Sequence, residues 1–453
     1  MVITKDKSFY KSLILLALPI AAQSLITFLI GLADNVMIGT LGDAAVSGVY
    51  MGGQIQTLLQ IFSTGIEGAI LVLSAQYWGK GDTASIRKVA AIGIRISLIF
   101  GLILNIVSAV APSLVISLFT SDEAIVEVGA EYLSIIAYSF GFFSVTQAMI
   151  ASMRSVEVAR IGLYVSGASL TVNVALNYIL IFGAFGLPPL GVRGAAIATL
   201  IARILETVIM TVYVFLIDKR LGMRPRELLL LDKTLLFDFI KYGAPIVAGQ
   251  LVWGVNMLSS SAIMGRQSGE GVVAALSIAN TMNNLTYIVM NGMAGAISII
   301  TGKTVGEGKE SLMREYAKTV QLIFIGVGIF TGLTVFFLKD PFISIYGVSE
   351  AAKAHAGALI TVLAFTSAGS AYQASGLLGL VKSGGDVSFV FKNDLFFVAC
   401  VVIPSALVAT HLGAPPFIVF ACLKCDQILK CIVAAIKINR FDWMKNLTRD
   451  KKA

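Results

Sequence analysis

Charged side chains make up only 13% of this 453-residue sequence, against roughly 25% in soluble domains, while 57% of it is hydrophobic and its mean hydropathy is +0.86. A chain this poor in charge cannot clothe a water-facing surface, which excludes an ordinary soluble protein. Histidine is almost missing. The two present, His355 and His411, fall at helix ends and supply neither a metal cluster nor a general base. The four cysteines all lie at or beyond position 400, and Cys422-x-x-Cys425 sits in an apolar run without a second pair or a nearby histidine. Packing accounts for them better than zinc does. No H-E-x-x-H, phosphate-loop lysine motif or G-x-S-x-G occurs. These absences predict a protein that is not an enzyme and carries no cofactor.

What is present is apolar length. A membrane span needs about 20 apolar residues, and such runs recur near 13–38, 46–76, 89–112, 127–153, 161–183, 194–217, 237–264, 272–301, 318–338, 355–381, 389–410 and 415–437. The expected fold is an all-α membrane protein of twelve transmembrane helices. Most of the 34 Lys and Arg residues fall in the tails and the even-to-odd connections, whereas the opposite side keeps Arg193, Arg266, Lys339 and Lys353. The positive-inside rule then puts both termini in the cytoplasm of a multi-pass cell-membrane protein. The net charge of +8 needs no nucleic-acid partner. The first apolar run is too long for a signal-peptide core and stays as the first span.

The pattern is written twice. Ala17-Leu18-Pro19-Ile20 is answered by Gly243-Ala244-Pro245-Ile246, 226 residues later. At an offset of 227, Gly42-Asp43 meets Gly269-Glu270, Gly68-Ala69-Ile70 meets Gly295-Ala296-Ile297, and Gly79-Lys80-Gly81 meets Gly306-Glu307-Gly308. Gly79-Lys80-Gly81-Asp82 mimics the G-x-G-D of intramembrane aspartyl proteases, but it lies in a charged turn and its counterpart has Lys309 in place of the acid. The expected domains are an N-terminal six-helix lobe (1–220), a cytoplasmic linker (221–236) and a C-terminal six-helix lobe with a tail (237–453). Tandem repeats in lipid imply a central site opened alternately to each side, the layout of a transporter.

Ionisable groups inside spans cost roughly 2.5–3.5 kcal/mol and mark function by default. Asp34, in the outer half of the first span, has no Lys or Arg within a turn or two. Such a carboxylate can exchange a proton or hold Na⁺. Asn173 and Asn177 stack on one face of the fifth span by their i,i+4 spacing. Arg203 and Glu206 share a face of the sixth span; they suit a structural ion pair, with Glu206 a second candidate for ion coupling. Their rough repeat counterparts are Asp426 and Lys430, and Glu67 is expected to neutralise Arg95. The second half offers Gln250, Trp253, Asn280, Asn284, Tyr287 and Tyr372 without a carboxylate, a lining expected for a substrate cleft between the lobes. Aromatic faces attract organic cations by about 0.5–2 kcal/mol each. Pro19 and Pro245 fall at equivalent places and are candidate hinges.

Taken in order, these residues resemble the multidrug and toxic compound extrusion (MATE) family of secondary antiporters. The marks are Ala17-Leu18-Pro19-Ile20, Ala33 to Gly39, Ser74 to Asp82, Asn173 to Asn177-Tyr178, Ile181-Phe182-Gly183 and Gly191 to Ala196. In the second half they are Ala279-Asn280, Gly302-Lys303, Gly306-Glu307-Gly308 and Ser383 to Asp386. The resemblance implies efflux of organic, often cationic compounds in exchange for H⁺ or Na⁺. It also implies that Asp34 and Asn173 belong to the coupling site. The chain departs from the family at Asn177, where many relatives carry a carboxylate. It departs again at Trp253, where some NorM-type members carry glutamate, and their helix 10 acid is missing.

The competing transport reading is a flippase for lipid-linked saccharides, which would need a strongly cationic cavity; Arg95, Arg203, Lys241 and Lys430 mostly sit beside acids or helix ends. A membrane-embedded enzyme lacks its nucleophile and base. A channel fits the duplicated layout less well than alternating access does. The expected partners are small organic substrates and the lipid bilayer, and the chain is expected to act as a monomer.

Overall fold

The computed structural model describes residues 3–230, 232–267 and 271–449. Gly269, Glu270, Lys451 and Lys452, which carry part of the repeat and of the charge bias, lie outside the described residues. The described chain is almost entirely helical, as the hydropathy predicts, because lipid leaves backbone amides no partner except each other. The helices are α1 (Lys7–Gly39), α2 (Asp43–Gly79), α3 (Thr83–Val110), α4 (Pro112–Ser117), α5 (Glu123–Ile136), α6 (Ser139–Ser155), α7 (Arg160–Phe182) and α8 (Gly191–Val212). Then come α9 (Lys233–Gly265), α10 (Val272–Gly306), α11 (Glu310–Ser344), α12 (Glu350–Gln373), α13 (Val387–Phe397), α14 (Ile403–His411), α15 (Pro416–Lys424) and α16 (Asp426–Arg440).

Among the described residues ten helical stretches are long and apolar enough to cross a membrane, and the pair α5–α6, bent by 51°, makes eleven. The span expected at 415–437 is α15 and α16, broken at Cys425. Lys424, Asp426, Lys430 and Lys437 make it the least apolar of the twelve. π-helical segments extend α8 (Tyr213–Ile217) and α12 (Ala374–Lys382), and another joins α13 to α14 (Val398–Val402).

Repetition reaches the backbone. Gly81 and Gly308, 227 residues apart, close the turns after α2 and α10 with φ of 75° and 71°. That left-handed conformation favours glycine. In the first repeat the Asp82 carboxylate then caps α3 by accepting from Ser85 N–H at 3.2 Å.

The described chain forms two compact units, residues 22–247 and residues 1–21 with 248–453. Their boundaries fall two residues beyond Pro19 and two beyond Pro245, so each repeat lends the start of its first helix to the other's unit. The contacts explain why. Gly292 on α10 admits Ala17 and Ala21, where a Cβ would come within 2.6 Å of Ala21 Cβ. Thr4 N–H donates to Thr319 Oγ1 at 2.9 Å. In the other unit, Gly65 on α2 admits Val247 at 2.8 Å. These units cut across the 1–220 and 237–453 lobes drawn from sequence. Both α1 and α9 run through their proline as continuous helices.

The unit at 22–247 packs Leu59, Ile116, Leu133, Phe140 and Ile181 into one core. Gly194 of α8 lies against the backbone of Leu180 on α7, 2.7 Å from where a Cβ would stand. Small residues permit such approach between spans. The linker is tied to this unit: Arg87 pairs with Glu227 and Lys88 with Asp232, both at 3.0 Å. The Leu235 N–H, which Asp232 accepts at the start of α9, and the Lys88 ammonium hold the Asp232 carboxyl below its usual range. The other unit has a core of Met264, Ala275, Leu359, Val402, Val419 and Phe420. Its tail folds back after α16. Trp443 is fully buried on Gly384, and Lys445 N–H donates to Gly384 O at 2.7 Å. Asp386 pairs with Lys437 at 2.8 Å and Lys445 at 2.9 Å. Burial opposes its charge, but these two lysines hold its carboxyl below the usual range. This part of the anchorage persists at neutral pH and fades only as acid passes through that lowered value. Trp443→Ala should cost about 3–5 kcal/mol and free the tail. Limited proteolysis should then clip it at least tenfold faster, by roughly the 1.4 kcal/mol-per-decade rule; an unchanged rate would show that the ring does not anchor it.

Candidate functional site

The site expected from sequence assembles within the unit at 22–247. α1 carries Asp34 one turn before its end, half-buried, and among the described residues no Lys or Arg pairs with it. α7 presents Asn173 and Asn177, both buried on its inner face. Asn177 Nδ2 donates to Asp34 Oδ1 through a short contact, and also to Asn173 Oδ1 at 3.3 Å. Asn173 Nδ2 donates in turn to Thr199 Oγ1 on α8, again at 3.3 Å. The result is a chain of polar atoms, Asp34–Asn177–Asn173–Thr199, crossing three helices. Asn177 Oδ1 is buried with no hydrogen-bond partner. An orphaned acceptor of this kind is costly. It suits a proton delivered on Asp34, or a hard cation that takes oxygen ligands. Asp34, Asn173, Asn177 and Thr199 supply that donor set.

Arg203 and Glu206 form the pair expected for them. Arg203 Nη1 donates to both carboxylate oxygens, at 3.0 and 2.9 Å, and the two side chains are 11% and 5% exposed. Glu206 is therefore already neutralised. The Arg203 guanidinium lies 5.0 Å from the Phe143 ring centroid. Sequence reasoning missed Thr199, although a signal existed, since Thr199, Arg203 and Glu206 recur at helical spacing on one face.

One pairing differs from expectation. Glu67 sits 3.9 Å from Arg154 on α6, not with Arg95. Arg95 instead donates to the carbonyls of Ala91 at 3.1 Å and Leu230 at 3.0 Å, because the linker covers that face of α3. Arg154 also donates to Gln23 Oε1 at 2.7 Å, just past the Pro19 turn.

The second-half residues divide into two kinds. Trp253 is 52% exposed, Asn280 and Asn284 are exposed, and Gln250 is partly so. Tyr372 is buried and donates to Gln321 Oε1 at 2.7 Å, while Tyr287 accepts from Gln427 Nε2 at 3.3 Å. The two tyrosine hydroxyls thus serve packing between α10, α11, α12 and α16. Lys430 pairs with Asp426 at 3.0 Å and also with Asp394 on α13, a partner that the sequence pattern does not bring to it.

Duplicated apolar spans, with a carboxylate–amide chain inside the unit at 22–247, have the make-up of a membrane transporter. The MatE family profile matches residues 19–179 and 245–408, two segments whose starts reproduce the 226-residue offset. The chain belongs to this family of MATE efflux transporters. It is 27% identical over 338 residues to a probable multidrug resistance protein NorM of Thermotoga maritima, covering 74% of this chain and 72% of that one. It is 26% identical over 423 residues to an uncharacterized transporter, YisQ, of Bacillus subtilis, covering 90% and 89%. A crystal structure of a mutant Vibrio cholerae MATE transporter, VcmN, shares the fold with a TM-score of 0.87 at 16% identity, over 97% of this chain and 98% of that one.

Proposed function

We propose that this chain is a secondary antiporter that exports organic, chiefly cationic compounds across the cell membrane in exchange for H⁺ or Na⁺, with both termini cytoplasmic. Asp34 is the coupling group, Asn173 and Asn177 its partners, and Arg203–Glu206 a fixed charge pair beside it. The carrying observation is the buried Asp34–Asn177–Asn173–Thr199 chain with its unpartnered Asn177 oxygen. The names of relatives such as NorM support the substrate class, and the charge bias between connections supports the orientation.

An ion entering from outside neutralises Asp34 and removes the penalty for burying its charge. Asn177 Oδ1 gains a partner, and α1 and α7 close on each other. Pro19, where α1 passes from one compact unit to the other, leaves that helix one hydrogen bond short and able to bend there. Trp253, Asn280, Asn284 and Gln250 face the substrate, whose positive charge meets an aromatic ring and neutral amides. Loose selectivity follows from the lack of a fixed opposite charge. Purified protein in liposomes should move a cationic dye against its gradient when an inward H⁺ or Na⁺ gradient is imposed. Dye movement indifferent to both gradients would overturn antiport.

A further inference from the structure

The unit at 22–247 carries a lipid-facing groove that the coupling site does not use. It has a volume of about 370 Å³ and lies where α3 and α8 flank the 51° bend between α5 and α6. Leu98, Leu102 and Asn105 of α3 form one wall, and Tyr138 stands at the bend, 56% exposed. The floor is open at Gly141. A Cβ there would lie 3.7 Å from Leu98 and 3.8 Å from Leu102, both ordinary contacts, so the glycine leaves space that a larger side chain could fill. Asn105 lies five residues before the end of α3 at Val110, about 7 Å along the helix axis. Ile103, Ile106 and Val107 beside it are each more than half exposed, as residues in contact with lipid are.

The Asn105 amide and the Tyr138 hydroxyl both line this groove, and among the described residues neither has a hydrogen-bond partner. Thr207, the third polar lining residue, is already committed: its Oγ1 donates to Arg203 O at 2.9 Å and lies 2.9 Å from Thr146 Oγ1. Hydrocarbon offers the two free groups nothing, and a polar group left unpaired there is costly. The other unit supplies an internal comparison. Its groove, also about 370 Å³, lies between α12 and the α15–α16 break, and there Phe365 stands 227 residues after Tyr138, 74% exposed. No amide side chain lines that groove among the described residues, and its Thr366 hydroxyl donates back to Leu363 O at 3.3 Å. Both repeats thus leave an apolar groove at the same step of the chain, and only the first lines it with unpaired hydrogen-bond donors.

We propose that the groove at the α5–α6 bend seats one membrane phospholipid, an acyl chain lying along Leu98, Leu102 and Gly141 and its ester oxygens accepting from Asn105 Nδ2 and the Tyr138 hydroxyl. Both groups can donate, and an ester carbonyl accepts without bringing a charge into the span. Such carbonyls lie just below the headgroups, the depth at which Asn105 stands near the end of α3. The proposal is independent of which compound the chain exports.

The test is lipid retention by the full chain in detergent, counted by native mass spectrometry, with two probes supplied in equal amounts. One is dioleoyl phosphatidylcholine; the other is its dialkyl ether analogue, which lacks both ester carbonyls. The wild type should retain the ester lipid in preference. N105L/Y138F should lower the ester-over-ether preference about three- to tenfold, the scale of one hydrogen bond. G141L should reduce retention of both lipids by filling the groove, and G141A, whose Cβ meets only ordinary contacts, serves if G141L does not fold. A421L, in the second groove, should leave the preference unchanged. Equal retention of the two lipids by the wild type, or retention indifferent to the Gly141 variants, would overturn the proposal. So would a two-chain complex that N105L/Y138F dissolves, which would assign the groove to a second copy of this chain. Displacement of the ester lipid by an exported dye in the wild type would overturn it as well, making the groove a substrate site.

Discussion

Asp34→Asn is expected to fold, to keep its place in the polar chain, and to lose gradient-driven efflux down to the vesicle background. Asparagine preserves the shape of the side chain and can accept from Asn177 Nδ2 as Asp34 does. It cannot exchange a proton, and it offers a cation a neutral oxygen in place of a charge. A ligand shifts a conformational equilibrium only by its difference in affinity for the two states. With that difference removed, the ion gradient has nothing to act on, whereas dye binding is expected to persist. Asp34→Glu restores the charge but places it one methylene farther along, so partial activity is expected. The measurement is efflux under imposed pH or Na⁺ gradients, beside dye binding by fluorescence polarisation. Full gradient-dependent transport by Asp34→Asn would sink the mechanism.

Arg203→Met should destabilise the protein by about 3–5 kcal/mol, because it strands a buried carboxylate. Glu206 is 4% exposed and takes both its hydrogen bonds from that guanidinium. Removing both charges with Arg203→Met and Glu206→Leu should recover most of the loss, since replacing a buried pair by apolar groups is often neutral or better. Thermal unfolding in detergent reads both effects. The double variant also separates the two roles considered for Glu206. Retained gradient-driven efflux with altered ion dependence fits a fixed charge pair beside Asp34. A stable double variant without coupling would make Glu206 a second coupling group.

The residues of the Asp34 site are largely legible in the sequence. A carboxylate without a local counter-charge in an apolar run is conspicuous, and i,i+4 amides on a second span share a face by helix geometry alone. That these faces meet is a packing fact: Asn177 on α7 reaches Asp34 on α1 across 143 residues of sequence, and Gly194 lets α8 press on the other side of the same contact through α7. The Arg203–Glu206 pair is legible because it is local, three residues apart on one helix. Glu67 is misassigned from sequence because its partner Arg154 lies on another helix, and sequence order says nothing about which helix is adjacent. The same blindness hides Asp394, which reaches Lys430 from α13 across 36 residues.

The sequence by itself determined the class: the scarcity of charge makes helical spans the only satisfied state for this backbone in lipid, and the 226–227 offset dictates two similar halves. It also determined where helices begin and turn, since the glycines and caps that set those points act on their own neighbours. Only the tertiary structure decided that the compact units exchange the starts of their first helices just beyond Pro19 and Pro245. It alone decided which charges are paired. Helix formation depends on residues a few places apart, whereas pairing across spans depends on side-chain volumes and small-residue contacts distributed over the whole chain.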